Sequence, residues 1–348
     1  MKRLISYAVM LVLAASAATP ASAQEIPDWV HRVKLSGLAF GDYYSFAQHH
    51  NEDLQGQNGF WFRRIYLTLD FNLEENWDFR LRLEGNSPGG PLLPSAKITP
   101  FVKDAWVRWK PSDQSFYLGI TGTPTWGVIE KEWGYRDVEK TPLDLMRLGA
   151  SRDFGVAAKG PIGSGKKFYY HAMVGNGSST RNEANPGKGF LLAIGVEPGS
   201  GFLFEVYGAY NDQESTTDVF TGQAFGTWRN DNVRIGVQYA HLEQERQDED
   251  NVKIDLISVY GVWHVSERVA LLARFDKLFD VNPNAPRIDY LRLSDEGKIN
   301  FLLAGVDIKI IERFHLIPNI ETVFYGAVDG AEAPKTDFIP RITFSLKF

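Results

Sequence analysis

The chain has no cysteine, so it can contain neither a disulfide framework nor a thiolate site. After residue 23 it has no apolar run of about 20 residues, which excludes a transmembrane helix. It has no basic excess. Taking Lys2 and Arg3 from the 37 basic residues leaves 35 against 43 acidic, which argues against nucleic acid as a partner. It has no internal repeat, linker or low-complexity tract, and no heptad pattern in the short segment Gln24–Trp29. Ser151-Arg152-Asp153 lacks a Gly-x-Ser-x-Gly elbow. His171, His241, His264 and His315 are scattered, and His49 and His50 are adjacent in a connection, where neighbours rarely serve one metal. No enzyme, cofactor or metal is expected.

What is present is alternation. From Phe338 to Phe348, Phe338, Pro340, Ile342, Phe344, Leu346 and Phe348 form one face, and Ile339, Arg341, Thr343, Ser345 and Lys347 the other. A strand of this kind, ending on an aromatic, can be the edge of a soluble sandwich or the closing strand of a membrane barrel. The other end of the chain bears on the choice. Lys2 and Arg3, the apolar stretch Leu4–Ala18 and Ala21-Ser22-Ala23 read as a secretory signal, with residues 1–23 removed and the mature chain starting at Gln24. Aromatic residues make up 13 %, a high share that suits interfacial girdles.

About 16 candidate strands follow, counted by alternation and turn residues. They begin with 33–44, 60–73, 77–85, 101–110 and 116–123. They continue through 153–161, 167–175, 189–197, 202–211, 219–229, 232–243, 252–264, 268–279, 298–310 and 313–326 to the closing strand. Faces are ambiguous in some, notably 252–264. The connections alternate in length. Short ones lie at 74–76, 111–115, 162–166, 198–201, 230–231, 265–267 and 311–312, and long ones at 45–59, 86–100, 124–152, 176–188, 212–218, 244–251, 280–297 and 327–337. An up-and-down outer-membrane barrel, with short periplasmic turns and long external loops, produces this parity; a sandwich has no reason to keep it. The predicted fold is therefore all-β: a transmembrane antiparallel barrel, one domain over 24–348, in the outer membrane of a Gram-negative bacterium.

In the third strand Arg80 and Arg82 oppose Phe79, Leu81 and Leu83. Arginine facing lipid near the midplane costs about 2–4 kcal/mol, so both are expected inside. With Arg64 and Arg108 they can form a basic strip on the wall, or a mixed wall neutralised by Asp70, Asp78, Glu84 and Asp104. The longest connection, 124–152, carries Lys131, Arg136, Lys140, Arg147 and Arg152 beside Glu130, Glu132, Asp137, Glu139 and Asp144. It is expected either to fold inward as a constriction or to stand outside as a lid. Thr141-Pro142 should start a short helix in it that Gly149 ends. Acidic residues gather in the other long connections, including Glu52, Asp53, Asp248, Glu249 and Asp250. They read as solvated loops without the spacing of an EF-hand.

Gly119, Thr123-Pro124, Ser151-Arg152-Asp153-Phe154-Gly155-Val156 and the stretch Trp106–Pro111 resemble the phosphate-selective porin O and P family. The resemblance implies a 16-stranded porin, usually trimeric, that passes anions. In that reading small hydrophilic solutes diffuse passively past Arg64, Arg80, Arg82, Arg108, Lys131, Arg136, Arg147 and Arg152. The partners are outer-membrane lipid, two further copies of the chain, and the barrel-assembly machinery engaging the strand that ends at Phe348. A plugged structural or adhesive barrel is the alternative.

Overall fold

The computed structural model describes residues 31–87, 97–182, 185–212, 217–246, 250–328 and 330–348. The expected signal segment, and Asp248 and Glu249 of the acidic run, lie outside the described residues. Residues 34–348 form one unit.

Sixteen strands close into a barrel in which each pairs with its sequence neighbours and β1 (Val33–Ser45) pairs with β16 (Asp337–Lys347). All pairings are antiparallel; the described ladders include Leu38↔Lys347 through Tyr44↔Arg341 at the seam. Beyond the last strand residue, Gly37 N–H donates to Phe348 O (2.8 Å) and Phe348 N–H to Gly37 O (3.1 Å). Gly37 leaves room there for the Phe348 ring, which a Cβ would strike.

The period-two pattern sets the faces. In β16 Phe338, Ile342 and Leu346 are exposed outward, whereas Arg341, Thr343 and Ser345 are buried inside. Across the remaining strands large apolar side chains such as Leu118, Phe190, Val206 and Phe275 are exposed, as a lipid-facing band requires. Aromatic rings gather at the short-turn end, where Trp77 and Trp109 stack with centroids 6.1 Å apart beside Phe116. Tyr43 and Phe60 meet at the long-loop end, 4.9 Å apart.

Two irregularities alter which charges face in. In β2 (Asn58–Glu74) Arg63 pairs with Asp42 and Arg64 with Glu84, so two successive side chains both enter the lumen. In β4 (Thr99–Trp109) the register against β3 (Trp77–Asn86) shifts between Arg82 and Leu83. Lys103 then reaches Glu84 while Asp104 reaches Arg82. A bulge adds one residue to one strand of a pair and re-aims its side chain, which in β4 places Lys103 inside beside Asp104.

Loop 3 (123–151) lies against the inner wall. It holds α1 (Gly127–Trp133), ended by Gly134 in the left-handed region (φ 75°), and α2 (Pro142–Leu145). The expected helix starts where Thr141-Pro142 placed it, but it stops at Leu145, short of Gly149. Arg147 already has φ 60°, and the Thr141 side chain makes no capping hydrogen bond. Trp126, Ile129, Trp133, Val138, Leu143, Leu145 and Met146 pack against Leu256, Val262, Leu272, Phe301, Leu303 and Val323 on the inward faces of β12 (Val252–His264), β13 (Val269–Leu278), β14 (Lys298–Ile311) and β15 (Phe314–Gly326). Burying each large side chain contributes about 1.5–3 kcal/mol. This explains the ambiguous faces of β12 (Val252–His264): Ile254 and Leu256 meet loop 3 while Val259 faces outward, so both sides are apolar.

Candidate functional site

With loop 3 packed against β12–β15, three spaces lie around it. A 250 Å³ space is lined by Ser36, Leu38, Tyr66, Thr68, Arg82, Lys103 and Arg152 on the wall side and by Glu130, Arg136 and Asp144 on loop 3. It shares Glu130, Ser151 and Arg152 with a 600 Å³ space under α1 that also touches Lys159, Tyr169, His171 and Glu205. A 400 Å³ space on another side of loop 3 is lined by Thr123, Arg147, Asp153, Arg181, Tyr207 and Asn284 among others.

The smallest of these spaces has the densest charge. Arg82 sits on β3, where its Nε donates to Thr68 Oγ1 (2.9 Å), its Nη1 lies 3.1 Å from Asp104 Oδ2, and its guanidinium covers the Tyr66 ring at 5.7 Å. Arg152, the first residue of β6 (Arg152–Ile162), pairs with the other oxygen of Asp104. Lys103 and Arg64 both pair with Glu84. The acids are the more deeply placed partners. The Arg82 side chain keeps 24 % exposure against 3 % for Asp104, and Arg64 keeps 13 % against 0 % for Glu84. Water and solute therefore meet the cationic heads, while the compensating carboxylates stand behind them. Across the space, Arg136 lies 3.3 Å from Glu130 and 3.4 Å from Asp144. Burial alone would raise the Asp144 carboxyl, but Lys140 and Arg136 outweigh it and hold it below the ordinary range, so it stays ionised at neutral pH.

A second ionic network fastens loop 3. Glu139 lies 3.5 Å from Arg63 and 3.7 Å from Arg341. Arg63 is also 2.8 Å from Asp42, and Arg341 is 3.0 Å from Glu321. All five side chains are essentially buried. Burial pushes the Glu139 carboxyl up, yet Arg63 and Arg341 more than reverse this and it lies below the usual range. Arg63 also donates to the Asp137 carbonyl (2.6 Å), Arg274 to that of Lys140 (2.6 Å), and Asn282 to that of Met146 (2.8 Å). Buried backbone carbonyls of the loop thereby find donors on the wall.

The eight residues expected to line the pore divide. Arg64, Arg82, Arg136 and Arg152 come together in the cluster just described. Arg80 and Arg108 do not join them. They pair across strands with Asp70 (2.6 Å) and Asp78 towards the short-turn end, so the four wall arginines make no single strip. Lys131 is exposed on α1 and lines none of the three spaces described, whereas Arg147 lines the 400 Å³ space and donates to the carbonyl of Arg287 (2.6 Å). Sequence reasoning passed over Lys103, Tyr66 and the anchoring set Asp42, Arg63, Glu139, Glu321 and Arg341. The available signal was the charged doublets Arg63-Arg64 and Lys103-Asp104, which interrupt alternation inside otherwise regular strands.

No protein-family model matches the chain, and no curated protein matches it. Solved structures do. OmpF of Salmonella typhi, in a complex with daunomycin, superposes with a TM-score of 0.65 at 11% identity over 91% of this chain and 97% of that one. The anion-selective porin of Comamonas acidovorans gives 0.63 at 12% identity over 91% and 99%. OmpT of Vibrio cholerae, an outer-membrane protein, gives 0.61 at 13% over 91% and 97%. The chain thus has the closed 16-stranded fold of outer-membrane porins, built from an almost unrelated sequence.

Proposed function

We propose that this protein is a passive diffusion channel in the outer membrane of a Gram-negative bacterium, for small hydrophilic solutes with anions favoured. The observation that carries the reading is the make-up of the smallest space. Its lining includes Arg82, Lys103, Arg136 and Arg152 against Glu130 and Asp144, with Asp104 and Glu84 withdrawn behind the cations. Such a constriction biases passage electrostatically without tight binding. Guanidinium groups pair well with phosphate and carboxylate, and Arg152 belongs to the Ser151–Val156 segment that resembles the phosphate-selective porins, so small oxyanions are the preferred class. Size filtering comes from loop 3, and no chemical step or cofactor is required. A trimer fits the reading, since an in-vitro folded OmpT of similar fold has been solved in a trimer form.

Single-channel recording in a planar bilayer under a KCl gradient tests this. Stable conductance steps with an anion-sign reversal potential are expected. A cation-sign potential would overturn the anion preference, and folded, heat-modifiable protein that gives no steps would overturn the channel.

A further inference from the structure

A cluster at the external end is separate from the lumen charges. His49 and His50, in loop 1 (46–57), stack with ring centroids 4.5 Å apart and 29° between planes. Adjacent side chains in extended backbone diverge; stacking instead turns both rings to one carboxylate, Asp337, where β16 begins. His50 Nδ1 is 2.9 Å from Asp337 Oδ1, and His49 Nδ1 is 3.9 Å from the same atom. Tyr325 of β15 (Phe314–Gly326) places its hydroxyl 2.6 Å from Asp337 Oδ2 and 3.4 Å from His50 Nδ1. One ligand atom each from His49, His50 and Asp337 lie within 4.8 Å of one another.

These separations suit a tetrahedral ion. Bonds of about 2.0–2.1 Å imply donor–donor edges of about 3.3–3.4 Å, inside the span set by the Nδ1, carboxylate and hydroxyl positions. The His49 ring is also oriented for the task. Its Nε2 lies 3.0 Å from the Leu291 carbonyl, a partner that requires the proton on Nε2 and leaves Nδ1, 3.9 Å from Asp337, as the acceptor. A ring nitrogen tied to a backbone carbonyl is the usual outer-shell support of a ligating histidine. An ion at this point would take over the Nδ1 lone pair that now accepts from Asn51 N–H (3.1 Å) and replace the proton shared between His50 and Asp337.

We propose that His49, His50 and Asp337, with Tyr325 as fourth donor, form a site for a borderline-soft first-row divalent cation, of which Zn²⁺ is the reference. Two imidazoles and two oxygens do not suit Mg²⁺ or Ca²⁺, which select oxygen ligands. The ion would join loop 1 to β15 and β16 and, through Leu291, to loop 7 (279–297), beside the Gln48↔Phe338 bridge that already ties loop 1 to β16. It acts as a staple over the seam of the barrel rather than in the conduction path.

The test uses the full mature protein without a polyhistidine tag, purified in detergent, stripped with chelator and dialysed. Calorimetric titration with ZnCl₂ should show one equivalent bound in the micromolar range. His49→Gln with His50→Gln, or Asp337→Asn, should abolish it, and Tyr325→Phe should weaken it about tenfold. The control variant, His241→Gln with His315→Gln, removes the two other His–Asp pairs and should leave binding unchanged. Heat-modifiable mobility on a gel reports folding of each variant. Where a variant does not fold, the wild type still decides: bound Co²⁺ should give the intense visible spectrum of a tetrahedral site. No binding, an octahedral Co²⁺ spectrum, or loss of binding in the control double variant instead would overturn the proposal.

Discussion

Arg82→Gln isolates the electrostatic part of the reading. Arg82 is one of four cations against two carboxylates that line the smallest space, and its removal leaves Asp104 still paired with Arg152, so the buried acid is not stranded. A unit charge about 5 Å from an ion's path changes that ion's energy by about 0.8 kcal/mol in a water-like dielectric. A Debye length of about 10 Å at 0.1 M salt lowers this to about 0.5 kcal/mol. The change has opposite sign for Cl⁻ and K⁺, so their permeability ratio should shift by about 1 kcal/mol, or about fivefold, towards the cation. In 1 M KCl the Debye length is about 3 Å and the shift should fall below about twofold. Arg108→Gln serves as control, since Arg108 is paired with Asp78 away from the cluster. The assay is reversal potential across a KCl gradient at both salt levels. An unchanged potential at low salt with normal conductance, or an equal shift from Arg108→Gln, would show that Arg82 does not set the charge bias.

Deleting residues 130–148 should raise single-channel conductance severalfold, because the deleted segment supplies Glu130, Arg136 and Asp144, the loop side of the smallest space; unaltered conductance would show that the segment does not limit flow. Glu139→Ala leaves the buried Arg63 and Arg341 short of a partner they share. Breaking a buried pair in this way costs about 3–5 kcal/mol, and flickering of the open channel together with a lower gel-transition temperature should reveal it. Gly37→Leu drives a side chain into the Phe348 ring at the seam. Overpacking of this kind costs about 1–3 kcal/mol, and the yield of heat-modifiable barrel on refolding into detergent should drop while Gly56→Leu, which meets no neighbour, gives a smaller loss set by its positive φ alone.

The barrel was legible because lipid and lumen impose opposite demands on alternate residues, and because short and long connections take turns. Several expected strands, such as 202–211 and 219–229, match β9 (Phe202–Asn211) and β10 (Val219–Arg229) end for end. The site was legible only in part. Regular alternation assigns Arg64 and Asp104 to the lumen and would send Arg63 and Lys103 to lipid; Lys103 is brought in by a shift of register against β3, and Arg63 by its partners Asp42 and Glu139. The inner faces of β12–β15 read as ambiguous for a different reason: they are covered by a loop more than 100 residues earlier, and no local pattern carries that information. Nor does adjacency in sequence disclose that His49 and His50 stack towards an acid at the far end of the chain.

The way loop 3 is held has a consequence for assembly. Beside Arg63, several of its fasteners come from much later in the chain: Arg274 bonds Lys140 across a separation of 134 residues, Asn282 bonds Met146 across 136, and Arg147 bonds Arg287 across 140. Contacts that distant form late, since the ring must bring its last strands round before they can meet the loop. The loop therefore takes its seat only after the strands that face it are in place, and until then the apolar inner wall is wetted and the bore is at its widest. Seating the loop dries that wall and narrows the bore, so filling the interior is a later event than pairing the early strands.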